Sequence, residues 1–133
     1  MSAVKVDDVI PELVLPPVSR ATLALYAGAS GDHNPIHIDS DFAKKAGMPD
    51  VFVHGMLTMA YLGRMLTNWQ PQSQLRKFTS RFLAITEIGA VLSCSGKVTE
   101  LLDDNGSLCA RVEIQATKQG GTAAVIGEAI VSV

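Results

Sequence analysis

From Ala90 onward the chain alternates apolar with polar residues. Ala90, Leu92, Cys94 and Val98 interleave with Ser93, Ser95, Lys97 and Thr99, and Leu108, Ala110, Val112, Ile114 and Ala116 interleave with Arg111, Glu113 and Gln115. A period of two specifies half-buried β-strands and is incompatible with a helical core face. Asp103-Asp104-Asn105-Gly106 marks a hairpin turn and Gly120-Gly121 another. The last strand is expected from about Ala123 to Val133, and a further one over Phe78 to Ile88 with Phe82 turned inward. These strands are antiparallel, and their apolar face needs a cover.

The first half supplies that cover. Ser19 can cap a helix from Arg20 to about Ala29, with Leu23, Ala24, Tyr26 and Ala27 as its apolar side. Ser40 or Asp39 can cap a short helix through Phe42, Ala43 and Ala46, stopped by Gly47 and Pro49. After the apolar lead-in Val51-Phe52-Val53, a longer helix is expected from Gly55 to about Asn68. It is apolar nearly all round, with Arg64 its only charge, and such a helix is expected to be buried. Helices followed by antiparallel strands give an α+β domain. One buried helix with one long curved sheet suggests a sheet wrapped around the helix.

At 133 residues the chain is expected to form a single domain, 1–133. With 47% hydrophobic and 18% charged residues it is slightly greasy, which points to further burial between subunits. A net charge of −2 favours neither nucleic acid nor an anionic membrane as a partner. No apolar run is long enough to span a bilayer. The segment from Met1 to Asp8 lacks a signal-peptide core, so a cytoplasmic location is expected. Cys94 and Cys109 fall on opposite faces of a paired sheet if the apolar faces align. A disulfide is therefore not expected, and both thiols read as reduced.

The stretch Gly31-Asp32-His33-Asn34-Pro35-Ile36-His37 carries the chemistry. Pro35 has no N–H and disfavours helical dihedrals at Asn34, so the backbone bends between Asp32 and His37. Gly31 permits a positive φ just before Asp32. A polar, bent loop can aim a carboxylate and an imidazole at one substrate. Read alone, such a pair is more often a turn-stabilising hydrogen bond than an acid/base pair. Asp32, His33, His37 and His54 are also residue types that bind metals, but Pro35 breaks the i, i+4 presentation of His33 and His37, and no metal is expected.

Tyr26-Ala27-Gly28-Ala29-Ser30-Gly31-Asp32-His33-Asn34-Pro35-Ile36-His37, with the small Ala43 beyond it, resembles the signature of the MaoC-like family of (R)-specific enoyl-CoA hydratases and (R)-3-hydroxyacyl-thioester dehydratases. Val53-His54-Gly55-Met56-Leu57 matches a second block of that family at the same spacing, and the resemblance covers nearly the whole chain. It implies a hot-dog fold, an antiparallel β-sheet wrapped around a long central α-helix that begins near Gly55. It also implies reversible hydration of trans-2-enoyl thioesters, on coenzyme A or acyl carrier protein, to (R)-3-hydroxyacyl thioesters. No metal or organic cofactor is implied. The implied assembly is a homodimer or higher homo-oligomer, with a heterodimer open, and a substrate tunnel at or near the subunit contact.

By matching position, Asp32 and His37 are the implied catalytic pair, Asp32 toward the attacking water and His37 toward proton delivery. Gly55 is the implied oxyanion donor, because it opens a helix whose first N–H groups lack partners and its missing Cβ allows close approach. Asn34, His54 and Met56 complete the substrate-binding set, Asn34 orienting the loop or its water and His54 reading either as structural or as lining the thioester site. The chain departs from the family pattern at Gly63, where many hydratases carry Ser, and over Ala84-Ile85-Thr86-Glu87-Ile88-Gly89. Met48, Met56, Met59 and Met65 read as core filler or as lining of an acyl tunnel. Lys44-Lys45 reads as a solvated helix face or as a contact for phosphates or an acidic carrier. Tyr26 reads as a core residue. The rival functions are a non-catalytic hot-dog partner subunit of a heteromeric dehydratase and a hot-dog thioesterase.

Overall fold

A computed structural model describes residues 3–133. Met1 and Ser2, the start of the segment read above for a leader, lie outside the described residues. The elements run β1 (Leu13–Val14), α1 (Arg20–Ser30), α2 (Ser40–Lys45), α3 (Gly55–Trp69), β2 (Leu75–Phe82), β3 (Leu92–Asp104), β4 (Ser107–Lys118) and β5 (Ala123–Ser132). Short 3₁₀ turns occupy Pro35–His37 and Gln72–Gln74. The strands form one sheet in the order β1-β3-β4-β5-β2, with every neighbouring pair antiparallel. Register shifts at Val98/Glu100, Leu75/Lys77 and Ala116/Thr117 interrupt the ladders, and such irregularities add bend and twist to a sheet. The fold is the expected hot-dog: α3 packs against β2, β3, β4 and β5.

Local chemistry explains the elements. Ser19 caps α1 by accepting the Thr22 N–H at 3.1 Å. Of the two candidate caps for α2, Asp39 takes the position, accepting from Asp41 and Phe42, while Ser40 donates to Asp50 at 2.8 Å. Asn105 and Gly106 both have positive φ, 52° and 87°, as a two-residue hairpin turn of mirror-image type requires. Leu92, Cys94 and Val98 of β3 and Ala110, Val112, Ile114 and Ala116 of β4 are buried in the core. Cys94 pairs with Ala116, an odd number of positions from Cys109, so the two thiols occupy opposite faces, and both are free. Burial pushes the Cys94 thiol up to about 11.

Four expectations need correction. α3 buries a stripe, Leu57, Thr58, Leu62, Met65 and Leu66, while Met56, Ala60, Arg64 and Thr67 are exposed. A sheet covers only one side of a helix, so apolarity all round did not translate into enclosure of the single chain. The strand expected over Phe78 to Ile88 instead spans Leu75–Phe82. Beyond it the N–H groups of Leu83 and Ala84 both reach the Ala124 carbonyl, and a lone bridge links Phe52 to Glu87. Phe82 shares the side of Phe78 and Ser80 and pairs with the buried Val125, but its ring lies against Gly55 at the wall of a cavity and stays 51% exposed. Leu108, placed on the apolar face of β4, is likewise exposed at the strand's first turn.

Candidate active site

The site is built where α1 ends. Gly31 closes the helix at φ 78°, its N–H bonding the Ala27 carbonyl at 3.0 Å. A left-handed residue there turns the chain sharply and suits glycine. Two successive side-chain-to-backbone bonds then shape the loop. Asp32 Oδ1 accepts the Asn34 N–H at 3.2 Å, and Asn34 Oδ1 accepts the Ile36 N–H at 3.1 Å. Asn34 is extended in ψ, as its place before Pro35 requires, and Pro35 opens the turn that ends at His37.

His37 donates its Nδ1–H to the Phe52 carbonyl at 2.7 Å. A carbonyl only accepts, so the tautomer is fixed and Nε2 is left to exchange protons. The ring also meets Phe52 edge-on, centroids 5.0 Å apart. One ring nitrogen from each of His37 and His54 and a carboxylate oxygen of Asp32 all lie within 4.8 Å of one another. A single water making two ordinary hydrogen bonds spans about 4.5 Å, so one water can touch both Asp32 and His37. The His37 and His54 rings are stacked, 4.0 Å apart and 25° from parallel. In-plane lone pairs of near-parallel rings run side by side and do not converge on one ion, so the stacking disfavours joint ligation of a metal by the two imidazoles.

Gly55 is the first residue of α3. The His54 carbonyl takes the N–H groups of Leu57 and Thr58 at 3.0 and 3.4 Å, and no side chain caps the helix. The Gly55 and Met56 N–H groups therefore belong to the unpaired set of a helix start, where the dipole favours negative charge. A cavity of about 280 Å³ adjoins them, lined by Phe52, Gly55, Thr58, Phe82, Ile85 and Val125 among others. A larger hollow of about 620 Å³ is lined by Val9, Lys97, Glu113 and Glu128; neither space is lined by Asp32, His37 or His54, and the smaller one meets the site through Gly55 and through Phe52, whose carbonyl holds His37.

The loop thus brings Asp32, His37 and His54 together, with Asn34 holding the loop, and Gly55 follows His54 in the chain as the first residue of α3. Asp32 is exposed and His37 half-buried. His54 is 1% exposed, behind the loop, whereas Met56 is 53% exposed and does not line the cavity beside Gly55. His33 is exposed and outside the cluster. Gly63 faces the Phe78 ring, whose Cε2 is 3.2 Å from where a Cβ would be. Eight residues of helix, about 12 Å, separate it from Gly55. Lys44 and Lys45 occupy the exposed last turn of α2. Sequence reasoning missed three parts of the site. The Phe52 carbonyl is backbone and leaves no residue-type signal. The cavity-lining hydroxyl residues Thr58 and Thr86 were indistinguishable from solvated threonines, yet both are buried. Tyr26 meets the His54 ring edge-on at 4.8 Å, and burial together with the Asp32 charge raises its pKa.

The description "MaoC like domain" matches residues 9–120. The chain is 35% identical over 83 residues to fatty acid synthase subunit beta of Saccharomyces cerevisiae, covering 60% of this chain and 4% of that one. It is 39% identical over 59 residues to peroxisomal enoyl-CoA hydratase 2 of Arabidopsis thaliana, covering 44% of this chain and 19% of that one. It thus spans only a small part of these two relatives. Among solved structures, the (R)-hydratase of A. caviae involved in PHA biosynthesis superposes with a TM-score of 0.88 at 27% identity, over 100% of this chain and 99% of that one. With a family match over residues 9–120 and both signature blocks in one site, the chain belongs to the MaoC-like domain family.

Proposed function

We propose that this chain catalyses the reversible hydration of trans-2-enoyl thioesters to (R)-3-hydroxyacyl thioesters. The observation that carries the proposal is the approach of the Asp32 carboxylate and a His37 ring nitrogen to within one water's span, next to a helix start whose Gly55 N–H is uncapped. Asp32 accepts a proton from the water as its oxygen bonds to C3. Protonated His37 delivers a proton from Nε2 to C2, and proton exchange between the two side chains through the solvent restores the pair. Negative charge gathers on the thioester oxygen in between, where the Gly55 N–H and the α3 dipole stabilise it. The acyl chain enters the cavity beside Gly55. Asn34 keeps the loop in shape, and Met56 offers apolar surface next to Gly55.

In this reading residues 1–133 act as one domain without a cofactor, and the substrate arrives on coenzyme A or a carrier protein. The working form is a homodimer or larger assembly. The test mixes purified chain with crotonyl-CoA and longer enoyl-CoAs while following both enoyl absorbance and free thiol. Loss of absorbance without thiol release is the expected result. Thiol release without hydration identifies a thioesterase, and silence at every chain length identifies a subunit that needs a catalytic partner. Either result overturns the proposal.

A further inference from the structure

We infer that His54 is a positioning residue: it ties the backbone of Asp32 to the ring of His37, so that the two acid/base groups hold one geometry. The inference rests on the hydratase reading of the site.

Three contacts carry it. Nε2 of His54 donates to the Asp32 carbonyl at 3.3 Å, across 22 residues of sequence. The opposite partner, His37, lies flat on the same ring at 4.0 Å. Tyr26 of α1 closes the remaining side, its ring meeting His54 at 68°. His54 therefore touches the loop before Pro35, the turn after it and the helix from which the loop departs. It does so from the cap position just before α3, whose next residue is Gly55.

The chemistry of the ring argues for a role beyond filling space. The Asp32 carbonyl fixes the proton on Nε2, which leaves Nδ1 bare, buried and without a partner. A phenyl or aliphatic side chain would fill this space with no orphaned acceptor, and leaving one is unfavourable. What the imidazole adds is the Nε2–H toward Asp32. The groups facing it are His37 from the Pro35–His37 turn, Asp32 from the loop and Tyr26 from α1. Burial first, and His37 second, lower the His54 pKa. Both effects disfavour a charge on the ring.

The test uses the full chain and two substitutions that separate the contacts. His54→Phe keeps a ring face for His37 and loses the donor; His54→Gln keeps a donor and loses the face. Folding of each is checked by circular dichroism. Small misplacements of reacting groups cost up to about 100-fold in rate. Both variants are expected to lower kcat at least about tenfold on crotonyl-CoA, with KM little changed and the acidic limb of the kcat–pH profile displaced. ¹⁵N-histidine NMR of the parent should show His54 as the neutral Nε2–H tautomer, and the His37 ring resonances should shift in both variants. Parental kcat and pH profile in two folded variants, or a proton on Nδ1 of His54, overturns the inference. If the parent hydrates no enoyl thioester, the function reading has failed separately. The NMR arm still decides the positioning role, since unmoved His37 ring resonances in both variants overturn it.

Discussion

The ring of Phe82 lies against Gly55 so closely that a Cβ on that glycine would stand 3.2 Å from Cδ1 and 3.3 Å from Cε1 of the ring. The last residue of β2 therefore covers the first residue of α3. The bare Cα at Gly55 allows this close approach, and the ring walls one side of the cavity beside the uncapped N–H groups.

Gly55→Ala should separate rate from stability. Phe82 is half-exposed at a strand end, so its ring can swing by the few tenths of an ångström required. Alanine is also a better helix residue than glycine by about 0.8–1 kcal/mol. The melting temperature should hold, while the new methyl blocks approach of the thioester oxygen. A misplaced oxyanion contact commonly costs about 100-fold. The check is kcat/KM on crotonyl-CoA alongside a thermal melt; unchanged kinetics would remove Gly55 from the mechanism.

Asp32→Asn and His37→Gln should each lower kcat by about 10²–10⁴-fold, the usual contribution of a general acid or base. The folds should survive. Asn at position 32 retains an oxygen for the Asn34 N–H that Asp32 Oδ1 now holds, and the Asp32 side chain is exposed. Turnover by both variants and circular dichroism spectra decide this. Near-parental rates in both would dissolve the proposed chemistry.

How much of this was legible in the sequence depended on whether the determinant was local. Gly31, Asn34 and Pro35 fix their own dihedrals, so the bend between Asp32 and His37 could be read directly. Asn105-Gly106 likewise fixed the β3–β4 hairpin and, with alternation, the face of Leu92, Cys94 and Val98 and of Ala110 to Ala116, but not that of Leu101 beyond the register shift after Val98. What depended on distant packing was not legible. Phe82 carries an inward-facing residue type at an inward-facing register, yet its ring lines a cavity beside Gly55 and stays half-exposed. His54 and Met56 are two residues apart and differ completely in exposure, because the loop and α1 cover one and nothing in the described chain covers the other. The Phe52 carbonyl that orients His37 is a backbone atom, and only the closing of the Phe52–Glu87 bridge fixes where it points.

Stability should fall on mild acidification because of His54. Its folded pKa is below the reference 6.5, so below that value the unfolded chain binds more protons and unfolding is favoured. The loss begins as pH drops through 6.5 and levels off below the folded pKa. Asp50 acts in a separate window. Arg20 first, then Ser40 and the Val51 N–H, hold its carboxylate well below the usual 3.8, so its contribution is intact above 3.8 and lost only beneath it. Melting temperatures across the acid range should show the upper slope in the parent and its absence in His54→Phe. A parent curve flat through the histidine range would show that His54 titrates normally.

Two glycines of the sheet and helix should respond oppositely to alanine. Gly127 of β5 pairs with Ser80 on one side and Ile114 on the other, and a Cβ there would fall 2.1 Å from the Thr79 carbonyl oxygen. Backbone cannot swing aside as a side chain does, so Gly127→Ala must separate β2 from β5 at the sheet edge. The penalty should reach or exceed the roughly 1–3 kcal/mol of ordinary overpacking, read as a large fall in melting temperature or as insoluble protein. Gly63 of α3 meets only the tip of the half-buried Phe78 ring, with Cε2 at 3.2 Å and Cζ at 3.9 Å. A slight tilt of that ring admits a methyl group, and a mid-helix glycine-to-alanine change then returns roughly 0.5–1 kcal/mol of stability. Gly63→Ala should therefore melt higher than the parent. Gly63→Ser, which supplies the hydroxyl many hydratases carry at this position, should leave turnover near the parental value, since Phe78 and not the Asp32 loop stands opposite. A large gain in turnover with Gly63→Ser would mean that the hydroxyl reaches the reacting groups in solution.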